Sequence, residues 1–168
     1  MSKIGIYPGS FDPITLGHLD IIQRSLHVVD KLTIAVSNNK SKNHFISIDQ
    51  RLKLIEQTVQ DLPKEDQKRI EIEKFDNLLV HYVKSKNASV IIRGLRAVSD
   101  FEYEFQLAGM NKHLDKNIET FFLTPAEEFA NISSSLVREI LQLGGNIRPF
   151  IPKEAADFII EKLSKKPL

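Results

Sequence analysis

Residues 8–18 bring several groups that could bind a phosphate into one short stretch. The stretch follows an apolar segment at residues 4–7 and contains two glycines, Ser10, Thr15 and His18. A strand, a glycine turn and a helix N-terminus together gather backbone N–H groups, and the helix dipole favours negative charge there. We expect His18 on the first helical turn, where its imidazole can donate a hydrogen bond to a phosphoryl oxygen. A lone histidine more often caps or packs a helix end, so this interpretation depends on the whole stretch.

A second candidate anion site begins with three consecutive serines, Ser133, Ser134 and Ser135. Ordinary N-capping of a helix needs only one serine. Three hydroxyls together with the unpaired N–H groups of a first turn predict a cradle for a polyphosphate. Arg138, one turn further on, supports that prediction.

Two arginines, Arg93 and Arg96, bracket a Gly-Leu pair at the end of an apolar segment. The end of a buried strand is an unusual place for a surface arginine, and the glycine lets backbone approach a ligand. The alternative for Arg93 is a structural ion pair with Asp100 or Glu104. Of the remaining polar loop residues, Asp12 is interpreted as shaping its turn.

Strand-like and helix-like apolar patterns alternate along the chain. Strands are predicted at residues 4–7, 32–36, 70–75, 90–93 and 120–123, and helices at residues 18–29, 49–60, 77–86, 99–114, 133–143 and 152–163. This alternation predicts an α/β fold, a single Rossmann-like domain over residues 1–168 whose five-stranded parallel sheet has helices on both faces. Ligands of such sheets bind beyond the carboxyl ends of the strands, which is where the candidate residues fall.

Composition narrows the function classes. The 168 residues carry 23 basic and 22 acidic side chains, a net charge of +1, which argues against broad binding to nucleic acid or membrane surfaces. There is no cysteine, so thiolate metal sites and disulfides are excluded. No His, Asp and Glu cluster has the spacing of a metal site. Without a signal-peptide pattern, the expected location is cytoplasmic.

The motifs resemble those of the bacterial phosphopantetheine adenylyltransferases, a family of the nucleotidylyltransferase superfamily. The similarity runs nearly end to end and rests on Tyr-Pro-Gly-Ser-Phe-Asp-Pro at residues 7–13, Thr-x-Gly-His at 15–18, Ile-Arg-Gly-Leu-Arg-Ala at 92–97, Asp-Phe-Glu-Tyr-Glu at 100–104 and Ile-Ser-Ser-Ser-Leu-Val-Arg at 132–138. The resemblance implies reversible transfer of AMP from ATP to 4′-phosphopantetheine, giving dephospho-coenzyme A and pyrophosphate. It also implies Mg²⁺ bound mainly through the ATP phosphates, a homohexamer, and coenzyme A as an inhibitor.

Roles for individual residues follow from the same resemblance. His18 and Lys42 are expected to stabilise the transition state. Phosphopantetheine is expected to contact Ser10, Lys42, Leu79 and Arg93. The ATP-binding residues implied are Ser10, Phe11, His18, Gly94, Leu95, Arg96, Glu104, Phe129, Ala130, Asn131, Ile132, Ser133, Ser134 and Ser135. Position 129, where the family commonly has another aromatic residue, often tryptophan, is phenylalanine, which keeps a flat apolar surface.

Other functions remain open from the residues alone. A different nucleotidylyltransferase, acting on nicotinate mononucleotide or glycerol phosphate, would share the histidine loop and the serine-rich helix. The Arg-Gly-Leu-Arg and Asp-Phe-Glu-Tyr-Glu segments argue against it. A module that senses ATP without turnover would have no need of His18, Lys42 and Arg93 together, and the near-zero net charge disfavours an RNA-binding domain.

Overall fold

The computed structural model describes residues 2–39, 43–96 and 98–164. Within them, five parallel strands form one sheet in the order β3-β2-β1-β4-β5. The strands are β1 (Ile4–Gly9), β2 (Lys31–Ser37), β3 (Ile70–Phe75), β4 (Val90–Gly94) and β5 (Glu119–Leu123). Each predicted strand is present, and the predicted parallel sheet is confirmed.

Helices connect the strands. They are α1 (Leu16–Ser25), α2 (Ile48–Gln60), α3 (Lys64–Gln67), α4 (Leu79–Ser85), α5 (Val98–Leu114), α6 (Ser134–Gln142) and α7 (Lys153–Ser164), with a 3₁₀ turn at Glu127–Phe129. The prediction missed α3 and the 3₁₀ turn because elements of three or four residues leave no periodic pattern.

The predicted bounds of the first helix were wrong at both ends. The helix begins at Leu16, because Thr15 adopts extended backbone and caps it. It ends at Ser25, since the following N–H groups bond to carbonyls three residues back in a tight turn. Leu26 and Val29, which extended the predicted helical stripe, are buried nonetheless. Apolar spacing therefore identified core residues beyond the last helical turn.

The sheet packs helices on both faces, as predicted. Alternate strand residues such as Ile34 and Ile92 face a core shared with α1, α2 and α7. Their neighbours Ala35 and Ile91 face a second cluster that includes Val80 of α4. Strands covered on both faces read as continuous apolar runs, which explains the sequence pattern.

From β1 the chain adds β2 and β3 on one side, and it then returns to add β4 and β5 on the other side of β1. The order of the strands therefore switches between β1 and β4. In an open parallel sheet this switch leaves a crevice beyond the carboxyl ends of the two strands, since their connections run to opposite sides. Within the described residues, no helix combines the length and the apolar character that crossing a bilayer requires.

Candidate active site

A cleft of about 500 Å³ occupies the crevice between β1 and β4. Its walls come from the loop after β1, the first turn of α1, the end of β4, the start of α5 and the start of α6. The predicted site residues that line it are Ser10, Phe11, His18, Arg93, Gly94, Arg96, Glu104, Ile132, Ser133, Ser134 and Ser135. The fold therefore brings together groups that are far apart in sequence.

A reciprocal cap fixes His18 at the start of α1. The Thr15 side chain accepts a hydrogen bond from the His18 backbone N–H at 3.3 Å, and His18 Nδ1 accepts one from the Thr15 backbone N–H at 3.0 Å. A ring nitrogen that accepts a backbone N–H carries no proton, so Nε2 holds the proton of the neutral imidazole. The cap thus selects the tautomer in which His18 donates through Nε2.

The imidazole of His18 is neutral at physiological pH. Burial in the cleft lowers its pKa to about 4, and the positive charges of Arg96 and Arg93 contribute in the same direction. Both effects disfavour imidazolium, because it would be poorly solvated and would face two other cations. His18 is therefore a neutral hydrogen-bond donor, and its imidazolium form is disfavoured.

The loop after β1 has a constrained backbone. Phe11 has a φ of 49°, in the left-handed region that residues with side chains rarely adopt. Its ring packs edge-on against Tyr7 and His18, with centroid separations of 5.4 and 5.0 Å. A Cβ at Gly9 would lie 2.9 Å from this ring, so glycine is needed for the loop to close over it.

At the start of α6 the three serine hydroxyls already have protein partners. Ser133 caps the helix by accepting the Leu136 N–H, Ser134 Oγ donates to the Pro13 carbonyl at 2.7 Å, and Ser135 Oγ accepts from Arg138. The first turn leaves the backbone N–H groups of Ser134 and Ser135 without a partner in the helix, and the hydroxyls of Ser133 and Ser135, which accept in these bonds, keep their protons. The serines thus build an anion site from main-chain amides and hydroxyl donors.

Arg138 stabilises the start of α6 against the loop after β1. Its guanidinium donates to the Asp12 carbonyl and to Ser135 Oγ. It connects α6 to the loop after β1 and does not line the cleft.

Arg93 and Glu104, which both line the cleft, form a bidentate ion pair. Arg93 Nε donates to one Glu104 oxygen at 2.6 Å, Nη2 donates to the other, and Nη1 donates to the Pro8 carbonyl. Burial opposes the charge of Arg93, but the hydrogen bonds to Glu104 and the electrostatic effects of Glu104, Tyr7 and Tyr103 together hold the pKa of Arg93 above its ordinary value. Of five guanidinium N–H groups, these bonds leave two for a ligand. The partner anticipated as Asp100 or Glu104 is Glu104.

Arg96 extends the cationic wall. Its Nε lies 3.2 Å from an Asp100 oxygen, and its Nη1 donates to the Ile132 carbonyl at 3.2 Å. It thereby joins the end of β4 to the segment that leads into α6.

Other predicted residues lie outside the cleft. Leu95 donates its N–H to the Leu123 carbonyl. Phe129 and Asn131 border a separate apolar groove on the other side of the Ile132 segment, and Ala130 closes the 3₁₀ turn. Lys42 falls outside the described residues.

Leu79 is the first residue of α4 and packs against the smaller core cluster. A second cleft, of about 460 Å³, lies close by in sequence, beyond the carboxyl ends of β2 and β3. It is lined by Ser37, Asn38, Asn39, Phe75, Asp76 and Asn77. Amide and hydroxyl groups dominate this second cleft.

The sequence interpretation gave no site role to Tyr7, Tyr103 or Pro125, which also line the main cleft. Tyr7 sits within a buried strand, and burial raises the pKa of its phenol above the ordinary value. Tyr7 could have been predicted as a site residue, because it places a hydroxyl group near the carboxyl end of an otherwise apolar strand. Tyr103 could have been found from its position one residue before Glu104.

Known proteins similar to this chain show the family to which it is related. A family model described as cytidylyltransferase-like matches residues 6–140. A phosphopantetheine adenylyltransferase of Vesicomyosocius okutanii is 51% identical over 97% of this chain and all of its own length. Those of Caldanaerobacter subterraneus and Legionella pneumophila (strain Lens) are 47% and 48% identical, over 97% and 99% of this chain and 99% and 92% of their own.

Solved structures share the fold at low sequence identity. A Plasmodium falciparum nicotinic acid mononucleotide adenylyltransferase complexed with NaAD superposes with a TM-score of 0.72 at 19% identity, covering 96% of both chains. A putative nicotinate-nucleotide adenylyltransferase of Vibrio parahaemolyticus gives 0.69 at 16%, covering 96% of this chain and 93% of its own. At such identity the likeness shows the fold alone.

Proposed function

This chain belongs to the phosphopantetheine adenylyltransferase family, and we propose that its main cleft is where it transfers the adenylyl group of ATP to 4′-phosphopantetheine. The products are dephospho-coenzyme A and pyrophosphate. The observation that carries the assignment is the convergence of neutral His18, the Arg93–Glu104 pair and the α6 N-terminus on one cleft at the strand switch.

The chemistry needs charge stabilisation more than proton transfer. A phosphate oxygen of phosphopantetheine attacks the α-phosphorus of ATP, and the bond from that phosphorus to the bridging oxygen of pyrophosphate breaks. The attacking oxygen is already deprotonated, so no general base is required. His18 donates through Nε2 to the oxygens on which negative charge grows.

The α6 N-terminus is suited to the leaving pyrophosphate. The amides of Ser134 and Ser135 and the helix dipole favour anionic oxygens there. Arg96, held by Asp100 and the Ile132 carbonyl, supplies a fixed positive charge beside them.

Arg93 is suited to the acceptor phosphate. Glu104 fixes the plane of its guanidinium and leaves two N–H donors for phosphate oxygens. Glu104 then acts on the reaction largely by orienting Arg93, in addition to any contact with the nucleotide. The second cleft has an amide-rich lining that suits the two amides of the pantetheine arm, and its lining residue Asn77 is two positions before Leu79 in the sequence.

Lys42 and Mg²⁺ complete the proposed machinery. Lys42 supplies a mobile ammonium for the reacting phosphates, which is an expectation from the family motif. Within the described residues no trio of His, Asp or Glu could hold a metal, and the cleft carboxylates Asp100 and Glu104 are engaged by arginines. Such a lining fits Mg²⁺ that is carried on the ATP phosphates and neutralises their charge.

We also infer a homo-oligomer, a hexamer by family resemblance. Helix α5 exposes large apolar side chains: Phe101, Tyr103, Phe105, Met110 and Leu114. Phe105 is 61% exposed and Met110 is 64% exposed. A group of large apolar side chains this exposed is unusual on the surface of a monomer. Light scattering should report a multiple of the 19.2 kDa chain mass, and Phe105→Glu should reduce the measured mass.

We also propose a cytoplasmic location for the protein. Inhibition by coenzyme A is proposed as well, because coenzyme A combines features of both substrates.

The assignment is tested by pyrophosphate release from Mg-ATP with 4′-phosphopantetheine or nicotinate mononucleotide as acceptor. Turnover with phosphopantetheine alone is expected. Turnover with nicotinate mononucleotide alone would keep the superfamily but overturn the acceptor assignment. Tight ATP binding without turnover on either acceptor would favour a sensing module.

The role of Arg93 has its own test within that assay. Arg93→Met should raise the KM for phosphopantetheine by about 10- to 100-fold, because it removes the charge-assisted donors to the acceptor phosphate. Glu104→Gln should raise it less, since Arg93 stays charged but is held less firmly. An unchanged KM in Arg93→Met would place the acceptor phosphate elsewhere.

A further inference from the structure

Arg51 is a buried cation beside the site but outside it. It lies on α2, is 1% exposed, and does not line the main cleft. Its Nη1 donates to the Ser10 carbonyl at 2.7 Å and to the Ser37 carbonyl at 2.9 Å. One guanidinium nitrogen therefore ties together the carboxyl ends of β1 and β2.

The Ser10 carbonyl belongs to the peptide whose N–H is that of Phe11. In a trans peptide these two groups point in opposite directions, so fixing the carbonyl fixes the direction of the N–H. Arg51 holds the carbonyl toward the core, and the Phe11 N–H is thereby directed to the opposite side. Phe11 itself lines the cleft.

This peptide needs a restraint. Phe11 sits at a φ of 49°, where a residue with a side chain pays a conformational cost. Rotation of the Ser10–Phe11 peptide would relieve that conformation and withdraw the N–H. A hydrogen bond from a charged donor to the Ser10 carbonyl opposes the rotation.

The charge of Arg51 is costly where it stands. Burial lowers its pKa, an effect that the negative charge of Asp12 partly opposes. In the part of the chain that the structure describes, its Nε has no hydrogen-bond partner and no carboxylate forms an ion pair with it. The two bonds to carbonyls stabilise the fold, and because one of them is to Ser10 they also fix the direction of that carbonyl.

Asp12 provides a second anchor for the same loop. Asp12 is 4% exposed, and its carboxylate accepts hydrogen bonds from the backbone N–H groups of Phe45 and Ile46 at 2.8 and 2.9 Å. The interpretation of Asp12 as a shaping residue is thus supported. The loop is held on one side by Arg51 and on the other by the segment that leads into α2.

We propose that Arg51 is a positioning residue that locks the Ser10–Phe11 peptide so that the Phe11 N–H is presented to the nucleotide. This inference rests on the proposed function of the main cleft. Arg51 touches neither substrate and acts through a peptide orientation that the local backbone would not keep by itself.

The first test is Arg51→Met, which keeps bulk but removes both hydrogen bonds. Its kcat/KM should fall by about 100-fold, the effect of a small misplacement in an active site. Arg51→Lys keeps the charge but not the planar fork, and should restore about 10-fold of that loss. Circular dichroism and thermal melting would check that each variant is folded.

Arg69 offers a matched control. Its Nη2 also donates to two carbonyls, those of Leu26 and Val29, but these precede the amino end of β2, whereas Arg51 lies at the carboxyl ends of the strands. Arg69→Met should lower the melting temperature while leaving kcat/KM within about threefold of wild type. If activity simply followed stability, kcat/KM would fall in both variants in step with the melting temperature, whereas loss of the peptide lock lowers kcat/KM in Arg51→Met alone.

A direct readout is the Phe11 amide signal in a transverse-relaxation-optimised nitrogen–proton spectrum. Adding an ATP analogue with an α,β-methylene bridge should shift this signal in wild type and not in Arg51→Met, while the Ser134 amide shifts in both. No Phe11 shift in wild type would mean that the proposed contact with the nucleotide fails. Equal shifts in both proteins, with kcat/KM within about threefold, would overturn the lock.

If Arg51→Met does not fold, Arg51→Lys alone decides the matter. A kcat/KM about 10-fold below wild type with a reduced Phe11 shift is then expected. Wild-type activity and a full shift in Arg51→Lys would overturn the proposal.

Discussion

Two helix N-termini face the main cleft, and they supply different donors. At α1, two backbone N–H groups have partners within the protein, because Leu16 N–H bonds to the Phe150 carbonyl and His18 N–H to the Thr15 hydroxyl. The side-chain donor at this N-terminus is the His18 imidazole, beside the N–H of Gly17 in the first turn. At α6 the three hydroxyls hold protein groups in place, and the amides of Ser134 and Ser135 remain as main-chain donors.

The difference separates two tasks that a nucleotidyl transfer requires. Main-chain amides hold a bound polyphosphate in ground state and transition state alike, which gives affinity. A side-chain donor aimed where new charge develops gives rate. Both helices are capped by a residue with a hydroxyl group, Thr15 at α1 and Ser133 at α6. The caps therefore do not distinguish the two tasks, and the difference lies in the hydrogen bonds of the other polar groups.

The largest expected effect comes from removing the side-chain donor. His18→Ala should lower kcat by about 10²- to 10³-fold, the usual cost of losing one preorganised transition-state donor. His27→Ala is the matched control, since His27 is exposed beyond the end of the same helix. Pyrophosphate release at saturating substrates measures both, and equal activity in the two variants would contradict the assignment.

An intermediate effect is expected from changing the cap of α6. Ser133→Ala should destabilise the protein by about 1 kcal/mol, because the Leu136 N–H loses its acceptor. Ser133→Asp restores the cap but places a negative charge beside the polyphosphate. Thermal melting should therefore recover in Ser133→Asp while the KM for ATP rises by about 10-fold or more.

If both Ser133 variants raised the KM for ATP equally, the cap and the anion site could not be separated. That result would favour a direct contact of the Ser133 hydroxyl with ATP over the backbone site.

The smallest perturbation is a change of pH. The His18 ring should titrate near pH 4 in the ligand-free protein, and His18→Gln identifies its resonance in a proton–carbon spectrum. The pKa in the folded chain is below the ordinary 6.5, so His18 costs no stability above pH 6.5. As pH falls from 6.5 toward 4, the unfolded chain takes up the proton first and the folded state loses stability. Titration near 6.5 would show that the imidazole is solvated.

Much of this arrangement could be predicted from the sequence, because most strands are mainly apolar and the candidate motifs come after strands β1, β4 and β5. The His18 loop and the serine-rich helix were placed correctly for the same reason. Hydrogen-bond partners could not be predicted. Whether Arg93 pairs with Asp100 or Glu104 depends on how α5 is set against β4, and local sequence does not specify that angle.

The role of Arg51 also escaped the sequence. It lies within an amphipathic helix, where an arginine normally indicates the solvated face. Only the packing of α2 beneath two strand ends shows that its guanidinium is buried on carbonyls. Side chains that act on distant backbone leave no spacing signal.

The most direct test of the division between the two N-termini is calorimetric binding of the α,β-methylene ATP analogue to His18→Ala and Ser133→Asp. The account predicts that Kd stays within about threefold of wild type in His18→Ala and weakens by about 10-fold or more in Ser133→Asp. The reverse order, with affinity lost at α1 and kept at α6, would contradict it.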